Sequence, residues 1–164
     1  MAVGPLRAAN ETARRDTAMA AKDGRGAHAR RGARELLVKA LYQWQIADSS
    51  DAELLEQFAA EPEFSRVDRA YFRALLPAVI ADAEALEAIV AARADRDLAE
   101  LDAVDRAVLF IALTELRTRP DVPTKVIINE AVELAKRYGA FDAHRFVNAV
   151  LDKAAAGTPG RQSA

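Results

Sequence analysis

The segment LDAVDRAVLFIALTEL, residues 101–116, is apolar on more than one side, and this limits the fold more than any other feature of the chain. At 100° per residue Val104, Val108 and Ile111 form one stripe, and Leu109, Leu113 and Leu116 form another roughly 100–140° around the axis. A helix apolar on two faces must be covered from both. The segment is therefore expected to be a central helix joining two small bundles. Glu115 falls on the first stripe, where a carboxylate needs a buried partner. A structural ion pair is the expected role, because no second catalytic group accompanies it.

The rest of the chain agrees with an all-α fold. Between Gly32 and Gly157 the only glycine is Gly139, which excludes a β-rich body with many tight turns. Periodicity and stop signals predict helices over 31–46, 51–60, 67–81, 82–94, 101–117, 124–138 and 142–154. The run Asp48-Ser49-Ser50 caps the second, and Pro77 is expected to kink the third or split it. Thr124 is read as the cap of the sixth, Gly139 as its left-handed stop, and Asp142 as the cap of the seventh. Residues 1–28 read as a disordered basic arm, 29–155 as the helical domain and 156–164 as a disordered tail.

Charge is unevenly placed. Residues 1–34 carry eight basic and three acidic groups, a net of +5, and the remainder carries −7. A basic end on an acidic body points to a polyanion at one place and a different partner at another. With no cysteine there is neither a disulfide framework nor a thiolate metal site, which fits a reducing cytoplasm. No apolar run reaches the roughly 18 residues of a membrane span. Nucleotide-binding glycine loops, nucleophile elbows and metal-spaced His or carboxylate motifs are absent from the sequence, so no enzyme activity, cofactor or metal is expected.

Binding features are richer. In HARRGARELLVKALYQW, residues 28–44, Arg30, Arg31 and Arg34 crowd the expected start of the first helix, where the dipole disfavours cations. The core face there is Ala33, Leu36, Leu37, Ala40, Leu41 and Trp44. Arg31, Val38 and Tyr42 form a stripe facing away from it, flanked by Arg34. A basic and aromatic surface of this kind suits phosphate contacts and base stacking, with a phosphate at the helix N-terminus. In the last helix Phe146 lies at the edge of the apolar face, between Arg145 and Lys153.

The stretches ARELLVKALYQWQ, DRAYFRALL, VDRAVLFIALTEL, DVPTKVIINEAVELAKRYG and RFVNAVLDKA occur in this order from residue 33 to 154. Together they closely resemble the NusB family of bacterial transcription antitermination factors. The resemblance implies two three-helix bundles around the central helix. It also implies binding of boxA RNA together with NusE, a small-subunit ribosomal protein. That complex serves RNA polymerase in an antitermination assembly acting notably on ribosomal RNA operons. Carried onto matching positions, it assigns RNA contacts to Arg30, Arg31, Arg34, Tyr42, Asp142, Arg145 and Phe146. It assigns the protein-partner side to Tyr42, Glu100 and Asp105. Gly32 stands where relatives often carry a further basic residue, Phe110 replaces a usual Arg, and Thr114 replaces a usual Tyr. Two alternatives are the RNA-binding front of a truncated ribosomal RNA methyltransferase, and a protein-only helical adaptor whose arginines are incidental.

Overall fold

The computed structural model describes residues 5–94 and 98–161, with side chains from Arg25 onward. Its described backbone is helical and contains no strand. Seven α-helices follow in order: α1 Pro5–Ala47, α2 Asp51–Ala59, α3 Arg69–Ala81, α4 Ala83–Arg93, α5 Ala103–Thr118, α6 Thr124–Tyr138 and α7 Ala143–Ala156. Short 3-10 turns occupy Pro62–Arg66 and Leu98–Glu100. Helices α1, α2 and α3 pack together on one side of α5, and α4, α6 and α7 on the other.

The two-sided burial of α5 is what organises this arrangement. Every residue from Ala107 to Leu116 is buried, as the double stripe requires. Its neighbours bury one face each: Leu36, Leu37 and Leu41 from α1, Leu75, Leu76 and Val79 from α3, and Val147, Val150 and Leu151 from α7. A fully buried Leu or Val contributes about 1.5–3 kcal/mol, so this shared core is the main source of stability.

Local signals account for most boundaries. Ser50 accepts from Glu53 N–H while the Glu53 carboxylate accepts from Ser50 N–H, a reciprocal cap on α2. Asp68 caps α3 at Tyr71 N–H, 3.0 Å away. Pro77 lies inside α3 without ending it; the chain breaks at Asp82. Pro123, not Thr124, holds the cap position of α6, and no side chain caps it. Gly139 is extended (φ −82°, ψ −179°) and is not a left-handed stop. A Cβ there would stand 2.1 Å from Asp105 Oδ1, so close approach is what demands glycine. Asp142 occupies the cap position of α7 in the left-handed region, φ 62°, with no capping bond from its side chain. At the other end, Arg161 donates to the carbonyls of Glu115, Leu116, Arg119 and Val122, tying the chain after α7 to the α5–α6 turn.

The start of α1 differs most from expectation. The helix begins at Pro5 rather than near residue 31. Arg30, Arg31 and Arg34 are therefore inside a continuous helix, and the N-terminus of α1 itself is not beside them to attract a phosphate.

Candidate nucleic-acid interface

The three arginines meet three environments. Arg34 is buried, 3% exposed, and its Nε and Nη2 donate to Glu115 Oε1 at 2.9 and 2.7 Å. The hydroxyl of buried Tyr71 donates to the same oxygen. Burial opposes the charge on Arg34, but Glu115 outweighs it and raises the guanidinium pKa. Burial, followed by the Glu115 charge, pushes the Tyr71 hydroxyl up, so it stays a donor. This is the buried partner that Glu115 required. It also corrects the helical-wheel reading of Arg34 and Val38 as solvent-facing. Both are buried, Arg34 between Glu115 of α5 and Tyr71 of α3.

Arg30 and Arg31 remain nearer the surface. Arg30 lies over the Tyr71 ring, 4.5 Å from its centroid, and 3.7 Å from Asp68. Arg119, at the end of α5, also faces that ring at 4.8 Å and pairs with Asp121. Arg119 was not singled out from sequence; its only local signal is the Arg-Pro-Asp turn. Arg31 is half-exposed and donates to Glu130 on α6. One turn on, Glu35 accepts from Arg137, also of α6. A cleft of about 450 Å³ lies here, lined by His28, Arg31, Gly32, Arg66, Val67 and Arg137 among others. Gly32 keeps it tight: a Cβ would meet Val67 Cγ1 at 2.8 Å.

On α7, Arg145 is open to solvent and pairs with Asp142 at 3.2 Å. Phe146 is buried, 6% exposed, so it faces the core and not the solvent edge. The exposed aromatic is Phe141, five residues earlier in the chain and fully accessible at 102%. Sequence reading missed it because a turn phenylalanine beside a cap ordinarily packs inward.

The partner-side residues also separate. Tyr42 is exposed and borders an apolar cleft with Val38, Val104 and Tyr138. Glu100 is exposed in the turn before α5. Asp105 is 1% exposed; its Oδ2 accepts from Ala140 N–H at 3.0 Å and its Oδ1 has no hydrogen-bond partner. Burial raises its pKa, opposed by the Ala140 bond and helped by Asp102. Asp105 thus shapes the α6–α7 turn from within and does not itself face outward. Among the described residues, no cluster of His, Asp or Glu is arranged to hold a metal, and no helix is long and apolar enough to cross a membrane.

Comparison with known proteins decides the family. The NusB family profile matches residues 31–156. The chain belongs to the NusB family. The chain is 54% identical over 127 residues to the transcription antitermination protein NusB of Yersinia enterocolitica, covering 77% of this chain and 92% of that protein. The Yersinia pestis NusB is equally similar, at 54% over the same length. The solved structure of T. maritima NusB superposes with a TM-score of 0.70 at 29% identity, covering 78% of this chain and 91% of that one. As a NusB family member, it is a transcription antitermination protein. Both the family match and the buried Arg34–Glu115 pair lie in the helical body after residue 30.

Proposed function

We propose that this chain binds boxA RNA together with NusE and promotes read-through by RNA polymerase, notably in ribosomal RNA operons. It acts in the cytoplasm by binding alone, without cofactor or bond-making chemistry. The observation that carries this reading is the set of guanidiniums held at the surface by single carboxylates: Arg30 on Asp68, Arg31 on Glu130 and Arg145 on Asp142. The Arg145–Asp142 pair is exposed on both sides and contributes only about 0–1 kcal/mol, whereas Asp68 and Glu130 are partly buried, 28% and 17% exposed, and hold their arginines more firmly. A phosphate oxygen can take the carboxylate's place at least cost at Arg145, and at Arg31 by displacing Glu130, with bidentate geometry available to those two guanidiniums.

Arg34 enters differently. Its charge is committed to Glu115, so it holds α1 against α5 and leaves phosphate contact to its neighbours. Tyr42, Glu100 and the turn set by Asp105 belong to the side that meets NusE, where an acidic surface complements a basic ribosomal protein and speeds association.

The test is titration of labelled boxA RNA at several salt concentrations, with and without NusE. Binding is expected to be weak alone and tighter with NusE. Arg30→Ala and Arg31→Ala should each take away one phosphate interaction and so reduce the salt slope by about 0.7. Equal affinity for scrambled RNA in both conditions would sink the sequence-specific reading. The burial of Arg34 and the pairing of Arg31 favour one alternative, a protein-only adaptor. RNA binding unchanged in the arginine variants, alongside intact NusE binding, would select it.

A further inference from the structure

We infer that Phe141 is a platform on which an unstacked base of the bound RNA rests; this builds on the RNA-binding reading above. Three observations converge on one turn. First, Phe141 is fully exposed at 102%, and exposure of that extent gives the folded chain no packing from a large aromatic. In its place before the α7 cap it would ordinarily pack on the fourth helical residue, Phe146, which is instead buried against the core. Second, the turn beneath it is fixed. Gly139 is pressed against Asp105, Ala140 N–H is bound by Asp105 Oδ2, and Asp142 is held at φ 62°, a conformation unfavourable for a residue with a side chain. With the backbone pinned, only the ring's own side-chain rotations are lost when a base stacks on it. Third, cations flank it in sequence. Arg145 is 79% exposed, with Asp142 already paired to it. Arg137 lies over the half-exposed Tyr138 ring at 5.3 Å. Exposed aromatics among guanidiniums suit single-stranded RNA, whose bases stack while its phosphates are neutralised.

The experiment uses the full chain and labelled boxA RNA. Phe141→Ala should weaken binding roughly five- to 150-fold, the range that loss of one stacked base gives. Its melting temperature and the slope of affinity against salt should stay unchanged, since the ring is outside the core and carries no charge. Phe141→Leu should fail to restore binding, and Phe141→Trp should restore it, with indole emission quenched as RNA is added. Wild-type affinity in Phe141→Ala would overturn the inference. A loss seen only with NusE present would also overturn it, assigning the ring to a protein contact. Failure of the wild-type chain to bind RNA at any salt would remove the RNA reading itself and this inference with it.

Discussion

Replacing Arg34 with methionine separates a structural role from an RNA-contacting one. Glu115 is 1% exposed, and Arg34 and Tyr71 both donate to its Oε1. Removing the guanidinium leaves a buried carboxylate with one neutral donor, which costs about 3–5 kcal/mol. Against a total stability of about 5–15 kcal/mol, that is a large share. For a chain of this size it lowers Tm by about 6–20 °C. The double variant Arg34→Met with Glu115→Leu removes both charges and fills the space with apolar atoms, so it should recover most of the loss. Urea denaturation of wild type, both single variants and the double variant yields the coupling directly. RNA titration at a temperature where every variant is folded provides the second reading. Arg34→Met should keep most of its RNA affinity, while Arg31→Ala should not. A single-variant cost under about 1 kcal/mol, or a double variant whose cost is the sum of the two singles, would refute the buried-pair argument.

Three further outcomes follow from the α5–α6–α7 junction. Burial raises the Asp105 pKa above its ordinary value of 3.8, so the folded state holds this proton more tightly than the unfolded chain. Stability from this group is therefore lost as pH rises from the ordinary value through the folded one. Asp105→Asn should gain on wild type across that window, and parallel stability curves would contradict this. Gly139→Ala forces a Cβ against Asp105 Oδ1 and the Ala135 carbonyl, and should cost about 1–3 kcal/mol in chemical denaturation. Gly139→Asn should be no better, whereas a left-handed stop would tolerate Asn. Arg161→Ala removes one donor from each of four carbonyls around the α5–α6 turn, of which Glu115 and Arg119 keep backbone donors, and should lower Tm and speed proteolysis there; an unchanged cleavage rate would exclude the tie.

What the sequence disclosed divides along physical lines. Period and punctuation are local, so α6 was bounded correctly by Pro123 and Gly139, and α5 was recognised by its two stripes. Burial on α1 is not local. The wheel found its centre but not its width, because it could not see Glu115 of α5 and Tyr71 of α3 closing over the flank that holds Arg34. A signal was present: Arg34, Leu37 and Leu41 recur at i, i+3 and i+7, the spacing of a core face. At the α6–α7 turn the error had another source. Composition suggested a left-handed Gly139, yet Asp142 takes that conformation and Gly139 answers a close approach to Asp105, far away in sequence. Of the two phenylalanines at this turn, Phe146 is buried and Phe141 is exposed, which the local sequence did not reveal.

The pairing of each surface arginine with a carboxylate has a consequence for affinity. Arg31 Nη2 lies 2.9 Å from Glu130 Oε1, so RNA must displace this anion before a phosphate can occupy its place. Arg31 is half-exposed while Glu130 is 17% exposed and held by two donors, so the pair contributes about 1 kcal/mol to folding, the upper end for a surface pair. The fold therefore loses little when Glu130 is neutralised, yet the same energy is subtracted from every phosphate contact Arg31 makes. Glu130→Gln should leave Tm within a few degrees of wild type and strengthen boxA binding up to about fivefold, most clearly at low salt. Arg31→Ala in the Glu130→Gln background should abolish that gain, which distinguishes release of Arg31 from a general drop in negative charge. If Glu130→Gln weakens RNA binding, Glu130 orients the guanidinium instead of competing for it, and the exchange of carboxylate for phosphate is refuted.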